Sequence, residues 1–391
     1  MDLTDNAEEA AFRRDVRDWL AEHLTGEFAA ARGLGGPGRE HEGFDVRLAW
    51  DRLLADHGWT CLGWPREFGG REATVQQQVI FHEEYARANA PVRVGHIGEE
   101  LLGPTLIAFG TPEQQRRFLP GIVGVRELWC QGYSEPGAGS DLAGVSTTAH
   151  RDGDEWVING QKVWTSMAHV ADWCFVLART DPTQQRHRGL SYLLVPMDQP
   201  GVQVRPIVQL TGTSEFNEVF FDDARTDAGN VVGEVGSGWQ VAMGTLGFER
   251  GVGTIDQQVV FRRELAGITA MARENGAIDD PLLRDRIARA WVDLEALRCT
   301  VLRTLGAAGP PGAESSVIKL LWANFHRGLG ELAMDVAGAG GLLAEEEPYG
   351  LDSWQRLFLF TRADTIYGGS NEIQRNIIAE RVLGLPREPR P

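Results

Sequence analysis

Glu155-Trp156-Val157-Ile158-Asn159-Gly160-Gln161-Lys162-Val163-Trp164 is the stretch whose reading decides the architecture. It reads as two short strands around an Asn-Gly turn, because that dipeptide tolerates the positive φ angles of a tight hairpin. Working outward, apolar runs at 171–179, 190–195, 202–208 and 218–221 are further strands separated by turn residues. Both flanks change period. On the N-terminal side, 11–20, 46–54 and 75–88 have helical spacing, with breaks at 33–38 and 63–70. Thr111-Pro112-Glu113-Gln114 is a helix start: a threonine cap, proline in the first position and Gln114 three residues after the cap. Beyond Gly236-Ser237-Gly238 the helical pattern returns over 239–275, 281–305, 314–337, 354–367 and 371–383. The order predicts an α+β chain: a helical domain over 1–127, a compact β domain over 128–236 and a helical bundle over 237–391. The Pro-rich ending from Leu385 reads as a frayed tail.

A chain of 391 residues calls for two or three domains. Acidic groups outnumber basic ones, 55 to 38, for a formal charge of -17. Such a surface repels phosphate backbones and anionic lipid, so neither nucleic acid nor membrane is expected as the main partner. Cys61, Cys130, Cys174 and Cys299 are widely spaced and read as reduced core residues rather than a disulfide or zinc framework. The histidines have no metal-binding spacing. The acidic start lacks the order of a secretory signal, which makes a cytoplasmic protein the expectation.

The densest cluster of small and hydroxyl residues is Gln131-Gly132-Tyr133-Ser134-Glu135-Pro136-Gly137-Ala138-Gly139-Ser140-Asp141. Glycines let a backbone approach a ligand closely, and serines donate to phosphate or ring atoms. Taken alone, the segment could equally be an ordinary loop between strands. It is not GxGxxG, which removes a Rossmann explanation.

Four segments together resemble the acyl-CoA dehydrogenase family: Ser-Glu-Pro-Gly-Ala-Gly-Ser-Asp at 134–141, Asn-Gly-Gln-Lys-Val-Trp-Thr-Ser at 159–166, Gly-Trp-Pro-Arg-Glu-Phe-Gly-Gly at 63–70, and the run from Tyr367-Gly368-Gly369-Ser370 to Arg387. They keep the family's order and spacing over nearly the whole chain. The resemblance implies an N-terminal helical domain, a central β-barrel-like domain and a C-terminal four-helix bundle, in agreement with the order read from the chain. It also implies bound FAD, with Tyr133, Ser134 and Ser140 lining the flavin and thioester region, Trp164 beside the flavin ring and Ser166 near its reactive nitrogen. Arg273 and the turn at Gly338-Ala339-Gly340-Gly341 would meet the adenosine end of FAD from a neighbouring subunit, and Ser370 and Glu372 would lie at the flavin. Ser140, Arg250 and Tyr367 would face the substrate. Core packing is a sufficient reason for Trp164, and a solvated helix face for Arg273.

Many members carry the catalytic base as Tyr-Glu-Gly. This chain has Gly368 there, which offers no proton acceptor but keeps a backbone N–H for the thioester oxygen. The isovaleryl and long-chain types place the base on a C-terminal helix before an arginine, as in Leu246-Gly247-Phe248-Glu249-Arg250. Val241, Phe248, Val252, Ile255 and Val259 form an apolar stripe. Glu249 lies about 100° from Phe248 at 3.6 residues per turn, on a face with Ala242, Thr245 and Gly253 that leaves room for a substrate carbon. Without the resemblance Glu249 is a surface glutamate paired with a neighbouring charge; with it, Glu249 is the expected base, its pKa raised by burial. The implied reaction converts an acyl-CoA thioester to the trans-2-enoyl-CoA and passes electrons to an electron-transfer flavoprotein. The implied assembly is a homodimer or homotetramer. The alternatives are one subunit of a heteromeric dehydrogenase, or a flavin oxidase or monooxygenase on the same fold.

Overall fold

A computed structural model describes residues 4–248, 254–306, 312–344 and 350–387, the side chains of 254–256 apart. The N-terminal third holds α1 (Ala7–His23), α2 (Gly26–Ala30), α3 (Phe44–Asp56), α4 (Val75–Arg87), α5 (Gly103–Phe109) and α6 (Pro112–Val123). Three of these starts are set by local chemistry. Asn6, Thr74 and Thr111 each accept an amide proton from the third helical residue, and Glu9, Gln77 and Gln114 return a bond to the cap's own N–H. This satisfies amides that a helix start otherwise leaves unpaired. The segment 97–109, to which the sequence reading gave no element, is a π-type turn (Ile97–Leu102) continuing into α5. Glycines interrupt its periodicity, and one of them is there for packing: a Cβ on Gly103 would lie 1.9 Å from Cζ2 of Trp64.

The middle third is one mixed sheet of β1 (Trp129–Gly132), β2 (Thr148–Asp152), β3 (Glu155–Ser166), β4 (Trp173–Arg179), β5 (Leu190–Pro196), β6 (Val202–Ile207), β7 (Phe216–Asp227) and β8 (Val231–Val232). The strand order is β6-β7-β3-β2-β4-β5-β8, with β1 parallel to β4. Side chains alternate across a strand. On β4, Cys174, Val176 and Ala178 enter a core shared with β2, β3, β5 and β7, over which the sheet curls barrel-like. Phe175 and Leu177 enter a second core, which includes Leu102 and Leu106 of the N-terminal third. Both faces of β4 are therefore buried, which is why it reads as a continuous apolar run.

The Asn159-Gly160 turn is not formed. β3 runs unbroken from Glu155 to Ser166 along β7, with register shifts at Ile158/Gly160 and Lys162/Thr165. The hairpin turn is Gly153-Asp154, with Asp152 paired to Glu155 and Gly153 at φ +60. The dipeptide's freedom serves a bulge instead. The Gly160 Cα passes so close to β2 that a Cβ would lie 2.7 Å from the Thr147 Cα. Asn159 exchanges two 2.9 Å hydrogen bonds with Asp223, one from each partner.

The C-terminal third comprises α7 (Gly238–Phe248), α8 (Thr254–Glu274), α9 (Pro281–Leu305), α10 (Ser315–Ala337), α11 (Ser353–Phe360) and α12 (Asn371–Ile377). One core joins α8, α9 and α10, with Val79 of α4 packed into it. The helix expected over 354–367 stops at Phe360, and 361–370 forms successive turns. Among the described residues, no helix is long and apolar enough to cross a membrane.

The start of α7 lies directly on β5. A Cβ on Gly238 would come 2.4 Å from the Ser191 carbonyl carbon and 2.7 Å from the Tyr192 nitrogen. An exposed helical Gly→Ala change gains roughly 1 kcal/mol. Here Gly238→Ala is expected to reverse that sign and lose about 1–3 kcal/mol through overpacking against backbone, seen as a lower thermal midpoint.

Candidate active site

The loop at 133–141 is held from beneath by a buried ion pair. Lys162 projects from β3 and is fully buried; its ammonium donates to the Tyr133 carbonyl (3.0 Å), the Glu135 carboxylate (2.8 Å) and the Leu177 carbonyl (2.8 Å). All three ammonium protons are used. Glu135 also accepts from the Ser146 and Thr147 amides and the Ser146 hydroxyl. Burial pushes the Glu135 carboxyl upward, but the Lys162 charge and these donors outweigh it and hold the group at about 2. The sequence reading gave neither residue a role, although both lie inside its quoted motifs.

Above this pair, the Ser134 carbonyl accepts from the Val163 amide at 2.9 Å, which joins the loop to β3. Ser134 and Ser166 are half-buried, and Ser140 is exposed. The Tyr133 ring packs edge-on to Phe175 and Tyr192. Trp164 sits at φ +60, is 57% exposed, and meets Phe216 edge to face. A left-handed tryptophan is a strained backbone position that persists where its surroundings require it. Gln131 Nε2 and Thr165 Oγ1 are buried without a hydrogen-bond partner among the described residues. A wide apolar ring held outward, with an unpartnered hydroxyl on the residue that follows it, suits a planar heteroaromatic group with polar edges. On these grounds the residues present fit FAD.

A cavity of about 1280 Å³ lies between the N-terminal helices and the C-terminal bundle. Phe248, the last residue of α7, and Tyr367 both line it. Glu249 and Arg250 follow Phe248 and lie outside the described residues. The small face read on α7 is not open space: Ala242 and Thr245 are fully buried. Thr245 Oγ1 lies 2.8 Å from Thr105 Oγ1, 3.4 Å from the Tyr192 hydroxyl and 3.1 Å from the Val241 carbonyl. The short polar side chain serves a helix joint there and does not create room for substrate.

Gly368 and Gly369 have φ of +62 and +81, a conformation glycine adopts without a Cβ penalty. The Gln374 amide donates to both of their carbonyls, at 2.9 and 3.3 Å. Gly368 N–H donates to no group among the described residues. Ser370 caps α12 by accepting from the Ile373 amide. Glu372 is exposed, and its own amide with the Ser370 hydroxyl keeps its carboxyl below the ordinary range. Arg273, in the last turn of α8, and Gly338, just after α10, share one end of the bundle, where Asn275 Nδ2 donates to the Val336 carbonyl. Both are exposed. Arg273 lies nine residues, about 13 Å of helix, beyond Glu264 on the cavity wall.

Three family profiles match the chain: the acyl-CoA dehydrogenase N-terminal domain over 6–125, the middle domain over 130–224 and the C-terminal domain over 236–383. Acyl-CoA dehydrogenase IpdE1 of Mycobacterium tuberculosis is 68% identical over 378 residues, covering 96% of this chain and 98% of that protein. The protein of the same name from Mycolicibacterium smegmatis is 64% identical over 387 residues, with the same coverage. Among solved structures, the Tcur3481-Tcur3483 steroid ACAD superposes with a TM-score of 0.85 at 32% identity, covering 99% of this chain and all of that one. The ChsE4-ChsE5 complex from Mycobacterium tuberculosis superposes with a TM-score of 0.83 at 31% identity, covering all of both chains. The chain belongs to the acyl-CoA dehydrogenase family of FAD-dependent oxidoreductases.

Proposed function

We propose that this chain dehydrogenates an acyl-CoA thioester between the two carbons next to the carbonyl, with Glu249 as base and the Gly368 N–H as donor to the thioester oxygen. One observation carries the reading: Phe248 and Tyr367, the immediate neighbours of Glu249 and Gly368, line the same cavity. The Gly368 amide, which has no acceptor among the described residues, is a donor for the negative charge that grows on the carbonyl oxygen as the adjacent C–H bond breaks. Glu249 takes that proton. Tyr133, Ser134, Ser140, Trp164 and Ser166 hold the flavin end of FAD, with Ser370 and Glu372 beside them. Arg273 and Gly338 serve the adenosine end of FAD in a neighbouring subunit. FAD, when bound, supplies the acceptor for the hydride from the next carbon. Ser140, Arg250 and Tyr367 orient the thioester, and an electron-transfer flavoprotein reoxidises the enzyme.

The cavity walls favour a bulky acyl group. Trp64, Phe81 and Trp354 give them a broad apolar surface. The Arg93 guanidinium in the same wall is already paired with Asp51 and Glu99, at 2.6 Å each, so it leaves no charge for the acyl group to meet. The description of one solved relative as a steroid ACAD points the same way. A second reading, one subunit of a heteromeric enzyme, draws support from the two-component names of the structural relatives and from the exposure of Trp164, Arg273 and Gly338.

The test is an oxygen-free visible titration of the purified protein with a panel of acyl-CoA thioesters, from straight-chain to polycyclic. Loss of the oxidised-flavin band with ring-bearing members is the expected result. An FAD-replete protein that no member bleaches, alone or with a co-purified partner chain, would sink the proposal.

A further inference from the structure

The turn that carries Gly368 is tied to a buried polar network that neither the flavin loop nor the base explains. Asp364 is fully buried. Its Oδ1 accepts from the Tyr367 hydroxyl at 2.7 Å, and its Oδ2 lies 2.7 Å from His326 Nδ1 on α10. Its backbone carbonyl accepts from the Lys319 ammonium, about two turns before His326 on the same face of α10. His326 Nε2 in turn lies 3.1 Å from the Glu264 carboxylate on α8, and the Phe261 ring covers the imidazole at a centroid distance of 4.3 Å. Two carboxylates thus meet two cations, so the cluster is neutral as a whole. Burial pulls the His326 imidazole down, but bonding to Asp364 and Glu264 outweighs it and raises the group to about 9. His326 therefore stays charged at neutral pH, and Asp364 keeps a charged partner.

We propose that Asp364 is a positioning residue for the reaction: through Tyr367 it fixes the Gly368 amide against the thioester oxygen, while His326 and Lys319 fix Asp364. The idea rests on the assignment of Gly368 as that donor. The turn's backbone bonds, from the Ile366 and Tyr367 amides to the Ala363 carbonyl, stop short of the two glycines. Its two glycines sit at positive φ in an exposed segment, and the Gln374 amide holds their carbonyls, leaving the direction of the Gly368 N–H to depend on the neighbouring Tyr367 peptide. A tyrosine anchored at its hydroxyl by a buried carboxylate removes that freedom. Orientation to within a few tenths of an ångström is what a preorganised donor needs. Tyr367 and His326 both line the cavity, so the clamp sits in its wall.

The test uses FAD-replete wild type, Asp364→Asn and Tyr367→Phe. The probe is a 3-thia analogue of a thioester that bleaches the wild type. Such an analogue cannot be dehydrogenated, but it loses its α-proton in the site and then shows a long-wavelength charge-transfer band. The pH at which the band appears reports how well the oxyanion is held, a quantity that a purely structural residue leaves unmoved. Both variants are expected to shift that midpoint upward by about one unit, equivalent to about tenfold weaker enolate stabilisation. They should also lower kcat about tenfold with KM nearly unchanged. A midpoint and kcat equal to wild type in either folded variant overturn the proposal. If Asp364→Asn does not fold, His326→Gln, which removes the charged partner of Asp364 and leaves Tyr367 intact, decides by the same midpoint. A wild type that bleaches but forms no band with the analogue refutes the Gly368 assignment instead, and the positioning role with it.

Discussion

Glu249→Gln should retain FAD with an unchanged oxidised spectrum and lose reduction by acyl-CoA by about 10²- to 10⁴-fold or more. The amide keeps the size and a hydrogen-bonding capacity of the carboxylate but cannot accept the α-proton. Because the thioester donors and the flavin loop remain, binding should survive while chemistry stops, so KM moves little and kcat collapses. A variant that bleaches at the wild-type rate would remove Glu249 from the mechanism and turn attention to a carboxylate supplied by another chain.

The second large effect concerns the ion pair beneath the flavin loop. Lys162→Met is expected to destabilise the protein by about 3–5 kcal/mol, because Glu135 would stay buried without its cation. The double change Lys162→Met with Glu135→Leu should recover much of that loss, since an apolar pair of similar volume carries no desolvation penalty. Acid gives a second readout. The Glu135 carboxyl is depressed from 4.5 to about 2. Its contribution is therefore present above pH 4.5 and is lost as pH falls through about 2. Wild-type stability should show this slope in acid denaturation, and the double variant should lack Glu135's part of it. A Lys162→Met protein as stable as wild type, with the same acid limb, would show that the pair does not hold the loop.

The three-part plan was legible because periodicity survives in long elements: α9 runs over Pro281–Leu305 and β5 starts at Leu190, as read from spacing. The Thr111 cap formed with its predicted partner Gln114. Reading failed where a local signal served a distant contact. Asn159-Gly160 carries hairpin chemistry, yet pairing with β7 more than sixty residues away turned it into a bulge. The face of Ala242 and Thr245 reads as small and open, but it is small because α5 and β5 press against it. Lys162 and Glu135 are 27 residues apart, and His326 and Asp364 are 38 apart. Charged residues in apolar surroundings are the only local trace of such pairs, and nothing in the linear order says which ones meet.

The hydroxyl of Thr245 has a consequence for how this architecture can be recombined. It touches Thr105 in the N-terminal helices and Tyr192 in the sheet, four residues before Glu249 in the chain. A single side chain of α7 is thus shared property of all three structural units. Chimeras that graft the N-terminal helices of a relative onto this chain, in order to import its acyl preference, would also rebuild the seat of α7. Such hybrids should alter turnover together with specificity unless a threonine is kept at 105 in the graft.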